Sequence, residues 1–459
     1  MCGDALKSKG YTIHGFTLGN RWHEFWNNDF KIHSLTPNKE AYNIELELER
    51  LQKDYPLDRI ASFPQADRFI CNLPRKRQRL ILVHTFKCVE RIIKEGVHAF
   101  ITTGTAYLYN LVILAVSRKF KIPAISIYNA RQSDSRFTYS LGNGGTWDAV
   151  TREYQSLAQK ETDLSEEINF ITSFREKFKA PDYMSSIRQE GNIHPMFIRE
   201  FITRCKRWYI GNWHHRDDYL TQHPIWYAHR DIKRTILKRI LSKVFDFDKP
   251  NTNDKYYIYP LHLQPEASTL ILGDDYVDQI NTIKSIARRL PADTWLYVKE
   301  HPAAFGRHTL KFYSSLKCIH NVKIIAPRED NHLLISKAIG VIVISGTMGW
   351  EALLLGTQSI VLGSVFYDGF CGITKITNIN ELTAILNKNE HTSATISDAA
   401  KALKAVKSKS YAGYFDVAKL DTRDKVLSKK NISLFTAGIE EILNHLHISQ
   451  GATISKIAS

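Results

Sequence analysis

Three short stretches in the second half of this 459-residue chain carry side chains suited to holding a phosphate and moving a proton. The first runs from His262 through Gln264, Pro265 and Glu266 to Thr269. The second is Lys299-Glu300-His301-Pro302, and the third is Ser345-Gly346-Thr347, with Glu351 four residues after Thr347. Hydroxyls beside free backbone N–H groups at a helix start make an anion site, helped by the helix dipole. Gly346 allows close approach of the backbone, and Glu351 falls on the same helix face as Thr347, placed to accept from ribose hydroxyls. The competing reading is that Ser345 and Thr347 only cap the helix. His301 precedes Pro302, which holds its backbone extended and leaves the imidazole to donate to a phosphate or assist a leaving group. Its competing reading is a structural histidine, and either Lys299 or Glu300 reads equally as a surface charge.

Two loops in the first half could supply an acceptor side. They are Thr102-Thr103-Gly104-Thr105 and Asn129 to Arg136. Asp134 is a candidate general base, with Glu266 as its rival, and Arg131 and Arg136 could balance substrate charge. Ordinary solvated loop is the alternative for both. The six cysteines are scattered, without CxxC pairs or zinc-type Cys/His spacing, and no metal site is expected. Asp246-Phe247-Asp248 reads as a solvated helix end rather than a cation ligand pair, and the cysteine pattern suits a reducing cytoplasm.

The elements that must position these residues follow from periodicity. Helices are expected over Asn38–Lys53 and Leu80–Glu95, a strand over Ala99–Ile101, a helix over Ala106–Phe120 and a strand over Pro123–Tyr128. Strand, helix, strand at this spacing is a βαβ unit and so a parallel sheet. From Tyr256 the alternation becomes regular, with strands at Tyr256–Leu261, Trp295–Lys299, Val322–Ala326, Gly340–Ile344 and Gln358–Leu362. Helices intervene, notably Asp275–Leu290, which points to a doubly wound sheet with ligands beyond the carboxyl ends of its strands. The expected division is a Rossmann-like domain over 1–150, a basic helical linker over 151–254, a nucleotide-sugar domain over 255–390 and terminal helices over 391–459.

Composition bounds the rest. An apolar share of 43% and a charged share of 24% are globular values and exclude a wholly disordered or multi-span chain. Val97–Val116 lacks charge over about the length of a membrane span, but its Thr/Gly turn, His98 and Asn110 favour a buried strand and helix. A net charge of +15 needs an anionic partner: nucleic acid, an anionic membrane or a phosphorylated substrate. Much of it lies between Arg204 and Lys249, where Arg230–Val244 reads as a basic amphipathic helix. That helix either lies on an anionic leaflet or packs on the protein's own core.

Taken together, PLHLQPEAS (260–268), VKEHP (298–302) and SGTMGWEALLLG (345–356) followed by IVLG (360–363) resemble the capsule polysaccharide biosynthesis family, which includes bacterial β-Kdo transferases. The resemblance spans Tyr256 to Gly372, about a quarter of the chain. It implies a GT-B-like α/β fold of two Rossmann-like, doubly wound parallel-sheet domains facing a cleft, working without a cofactor or metal. It also implies a nucleotide-sugar donor, CMP-Kdo in the best-known members, and a glycan or lipid-linked acceptor. Lys299, His301, Pro302, Ser345, Gly346 and Thr347 would hold the donor phosphate, and Glu351 the ribose. A cytoplasmic enzyme, peripheral on the inner membrane and with no nucleic-acid partner, is the expectation. A transferase or epimerase using a UDP-sugar, and a non-catalytic membrane- or nucleic-acid-binding protein, are the alternatives.

Overall fold

The computed structural model describes residues 2–17, 30–35, 37, 42–104, 107–132, 135–176, 201–206, 208–209, 223–387, 393–415, 423–448 and 453–457. Along the first third run β1 (Thr12–Thr17), β2 (Lys31–Ser34), α1 (Ile44–Asp54), α2 (Arg75–Lys94), β3 (Val97–Thr103), α3 (Leu108–Phe120), β4 (Ala124–Asn129) and β5 (Arg136–Ser140). Then come α4 (Asp148–Ala158), α5 (Ser165–Glu176), α6 (Pro224–Val244), β6 (Lys255–Pro260), α7 (Gln279–Ala287), β7 (Thr294–Lys299) and β8 (Val322–Ile325). The remainder holds β9 (Gly340–Val343), α8 (Met348–Leu355), β10 (Gln358–Val361), β11 (Ile373–Lys375), α9 (Ile396–Ser408), β12 (Tyr411–Ala412), α10 (Lys429–His445) and β13 (Thr453–Ile457).

The chain forms two compact units, and the division is not serial. One comprises Met1–Gly144, Ile193–His229 and Ser410–Ser459; the other comprises Gly145–Asn192 and Arg230–Lys409. The first unit is built on a seven-stranded sheet in the order β12-β5-β4-β3-β13-β1-β2. The last strand of the chain therefore sits between β3 and β1, parallel to both. This is why the terminal segment cannot be read as helices alone. The sheet core gathers Ile13, Ile101, Ile125, Phe137 and Ile454 with Ile439 and Ile442 of α10.

The second unit carries a six-stranded sheet in the order β11-β10-β9-β6-β7-β8, with every neighbouring pair parallel. Counted from β6, this is the Rossmann order 3-2-1-4-5-6, whose direction reverses between β6 and β9. Such strands are covered on both faces and therefore tend to read as nearly continuous apolar runs, as Gly340–Val343 does, while Gln358–Val361 is buried throughout despite Gln358 and Ser359. Leu296, Val298, Ile324, Ile342 and Ile360 form the core with Ile283 and Ile286 of α7. Residues 151–176, expected in a linker, instead supply most of α4 and all of α5 to this unit. Arg175 of α5 donates to the Leu354 carbonyl at 2.8 Å, and Trp147 stacks on Phe366 with ring centroids 4.0 Å apart.

The expected long helix from Asp275 is shorter. It begins at Gln279 because Asp278 takes an extended backbone and its carboxylate accepts from the Asn281 N–H at 3.1 Å, which is an N-cap. Asp246-Phe247-Asp248 is not a solvated helix end either. Phe247 packs on the core, and Asp248 exchanges backbone and side-chain hydrogen bonds with Ile324 at 2.9 and 2.7 Å. No helix among the described residues is long and apolar enough to cross a membrane.

Candidate functional site

The switch point of the second sheet lies between the carboxyl ends of β6 and β9, and both ends lead into predicted site residues. After β6, His262 is buried and its backbone is clamped at both ends by one side chain. Gln279 Oε1 accepts from the His262 N–H at 2.7 Å, and Gln279 Nε2 donates to the His262 carbonyl at 3.0 Å. After β9, the Ser345 N–H donates to His262 Nε2 at 3.4 Å and Ser345 Oγ donates to the Ser268 carbonyl at 2.6 Å. The first and third predicted stretches are thus bonded directly to each other. Burial above all pushes the His262 imidazole down to about 4, so it is neutral and its Nε2 can accept.

The turn that follows is open in a specific sense. Thr347 occupies the N-cap position of α8, yet its side chain makes no capping hydrogen bond. The first bond of the helix runs from the Glu351 N–H to the Thr347 carbonyl at 3.0 Å. The preceding N–H groups have no intrahelical acceptor, as at any helix start. The Gly346 carbonyl is held by the Tyr367 hydroxyl at 2.6 Å, which fixes the turn from below. Ser345 is not a cap, because its hydroxyl is used on Ser268.

The first unit provides a contrast. Its helix after β3, α3, receives a buried internal carboxylate: Asp67 Oδ2 accepts from the Leu108 N–H at 3.0 Å while Oδ1 accepts from Phe69 and Ile70. Burial raises the Asp67 carboxyl, against the lowering effect of those backbone donors. The dipole of that helix already has its anion. No pattern of spacing marked Asp67 as this cap, because it lies forty residues before the helix it serves.

The second stretch follows β7. Lys299 and Glu300 are both buried, so neither is the surface charge expected for one of them. Lys299 Nζ donates to the Ala326 carbonyl at 2.8 Å. Glu300 accepts from the His301 N–H at 2.6 Å and from the buried Tyr313 hydroxyl, and burial pushes its carboxyl up to about 7. His301 Nδ1 accepts from the Ala303 N–H at 3.1 Å. That bond needs an unprotonated Nδ1, so the neutral ring carries its proton on Nε2, available to donate. Burial first, then Lys299 and Arg307, holds the ring below its usual pKa and so in that neutral form. Pro302, partly buried, leads into the turn that closes over this histidine.

Glu266 precedes the short helical turn Ala267–Leu270 and accepts from Ser268 Oγ at 3.3 Å, on the loop whose Ser268 carbonyl holds Ser345. Glu351 is on the predicted helix face but buried, with 3% of its surface exposed. In the first unit, Arg131 takes a left-handed backbone conformation (φ 57°), its N–H bonded to Asn129 Oδ1 at 2.9 Å. Arg136 is engaged structurally: its guanidinium binds the hydroxyl of Ser410 at 2.7 Å and also the Ser410 carbonyl. Asp134, with Ser133 and Thr105, lies outside the described residues. Sequence reasoning quoted His262 within its motif but gave it no role, and it missed Gln279. The adjoining PLHLQ string was the available signal for the first; nothing local marks the second.

Residues 198–433 match the profile of the family described as capsule polysaccharide biosynthesis protein, slightly more than half of the chain. No curated protein matches. Among solved structures, the chain is similar to the β-Kdo 2,7-transferase of KpsC from Thermosulfurimonas dismutans at 14% identity and a TM-score of 0.35, covering 78% of this chain and 89% of that one. The β-Kdo 2,4-transferase of the same protein gives 13% identity and a TM-score of 0.32, with 68% and 80% covered. The UDP-GlcNAc 2-epimerase of Neisseria meningitidis, bound to UDP-GlcNAc, gives 15% and 0.29, with 87% and 98% covered. The profile match takes in all three motif stretches, together with the switch point that brings two of them into contact, and on it the chain belongs to the capsule polysaccharide biosynthesis family.

Proposed function

We propose that the protein is a glycosyltransferase of surface-polysaccharide synthesis that binds a nucleotide-activated sugar at the switch point of its second unit. The observation that carries this is the Ser345-Gly346-Thr347 turn. It starts a helix whose N-cap hydroxyl is unused as a cap, at the place where doubly wound sheets bind phosphates. The donor phosphate accepts from backbone N–H groups at the start of α8 and from the Thr347 hydroxyl. His301 donates from Nε2 to a phosphate oxygen as the bond from phosphate oxygen to the anomeric carbon breaks. Hydrogen-bond donors fixed beforehand stabilise the departing charge without a reorganisation cost. The acceptor hydroxyl attacks the anomeric carbon and its proton passes to a carboxylate. Glu266 is the candidate on the loop that holds Ser345, and Asp134 is its rival. Lys299 adds positive charge near the imidazole, and Glu351 supports the helix bearing the turn or meets the ribose.

The basic helix fits a lipid-linked acceptor. Leu241 is buried and Arg234 binds the Ala303 carbonyl at 2.8 Å, so one face packs on the second unit. Ile232, Ile236, Ile240 and Val244 stay exposed, Ile236 by 52% and Val244 by 67%. Spaced four residues apart, they form one stripe with Lys233, Arg239 and Lys243 beside it. An exposed apolar stripe between cations suits an anionic leaflet.

The test is a panel of CMP-, UDP- and GDP-sugars, CMP-Kdo among them, read by thermal stabilisation and donor hydrolysis. One nucleotide class should stabilise the protein; no response to any would sink the transferase reading. Flotation with anionic vesicles at low salt tests the helix separately. Substituting Ile236 and Ile240 by Ser should weaken flotation while leaving donor binding intact.

A further inference from the structure

In the first unit, two buried histidines and a carboxylate converge from three separate elements. His14 is in β1 and His33 in β2, on the same face of the sheet, because His14 pairs with Lys31 and Phe16 with His33 in the parallel register. Glu95 ends α2, just before β3. His14 Nδ1 and His33 Nε2 are 3.3 Å apart, and Glu95 Oε2 lies 3.9 Å from the first and 3.8 Å from the second.

We propose that His14 Nδ1, His33 Nε2 and Glu95 Oε2 form a three-ligand site for a divalent cation of the zinc type. Zinc bonds of about 2.0–2.1 Å in a tetrahedral arrangement separate ligand atoms by about 3.4 Å. One pair already meets that spacing, and the carboxylate, at the partly exposed end of its helix, needs to move by only a few tenths of an ångström. Two imidazoles and a carboxylate are an established zinc donor set, with a fourth position left for water.

Two cations face the cluster and oppose the ion. Lys31 Nζ binds Glu95 Oε2 at 2.7 Å, and Arg91 is close enough to act on His33. The Lys31 side chain is 58% exposed and can swing into water when a metal takes its oxygen. The site would tie β1 and β2, at the edge of the sheet, to the end of α2. Reading Cys/His spacing and Asp-x-Asp pairs could not find it, since the three residues meet only through the strand register.

The test uses the full-length, untagged chain stripped by chelator, titrated with zinc chloride by calorimetry, with Co2+ absorption as a second measurement. One equivalent of zinc should bind and raise the melting temperature, and Co2+ should give the visible bands of a tetrahedral site. Glu95→Gln should weaken zinc at least about tenfold, the scale expected for a lost ligand interaction. Lys31→Met, which removes the competitor, should tighten it. Less than one equivalent, equal binding by a folded His14→Asn/His33→Asn chain, or no gain in Lys31→Met overturns the proposal and leaves a histidine pair beside a salt bridge.

Discussion

Thr347 and His301 act in the proposed chemistry through single atoms, which makes them separable by substitution. Thr347→Val keeps the shape and removes only a hydroxyl that makes no capping bond. Donor affinity should fall about tenfold, the worth of one hydrogen bond to a charged group, while unfolding stability stays within about 0.5 kcal/mol. His301→Gln retains an N–H donor and should keep more turnover than His301→Ala, measured as donor hydrolysis. Equal rates for the two would return the imidazole to a purely structural part. His262 belongs to a different group: its ring and backbone are both committed to neighbours, so it positions the turn without needing to touch the donor.

At the scale of elements, α8 is set by close approach rather than by amphipathic patterning. Nearly all of its residues are buried, and no single stripe distinguishes them. Gly349 shows why: a β-carbon there would stand 2.4 Å from Tyr367 Oη and 2.7 Å from Ser359 Oγ. Gly349→Ala should therefore cost about 1–3 kcal/mol by overpacking. Because Tyr367 also holds the Gly346 carbonyl, donor affinity should fall with it. Thermal unfolding with and without nucleotide checks both effects. The alternation of β6 to β10 was legible because parallel strands buried on both faces are rich in apolar and aromatic residues, at regular intervals between helices. The strands β1, β2 and β13 were not, since His14, Gly15, His33 and Lys456 interrupt that pattern.

For the whole molecule, the titrating groups of the second unit oppose one another. His262 and His308 are held at about 4 by burial, so between about 6.5 and 4 the unfolded chain binds protons that the folded chain refuses. Their contribution is complete above 6.5 and is lost as pH falls. Glu300, raised to about 7, has the reverse sign: it keeps its proton when folded and favours folding as pH falls from 7 towards the ordinary carboxyl range. His301 is lowered as well, and so are His14 and His33 of the first unit, so the depressed histidines outnumber Glu300 and acidification should leave a net loss of stability. Urea midpoints between pH 4.5 and 6.5 should show it, and His262→Gln should flatten the slope. A second expectation concerns the first unit. Truncation after His445 removes β13 from between β3 and β1, and circular dichroism should show that unit failing to fold.

By itself, the sequence determined the α/β character, the parallel sheet from Tyr256 onwards and the three motif stretches, because periodicity and turn chemistry are local. Even the positions of Ser345, Thr347 and His301 at strand ends were readable in this way. Tertiary structure alone decided that Ser345 leans on His262 and Ser268, that Asp67 fills one helix start while Thr347 leaves another uncapped, and that Arg136 serves Ser410. It also placed the last strand in the middle of the first sheet. These are pairings between residues distant along the chain. Which of them form depends on sheet order and burial, to which no short window of sequence has access.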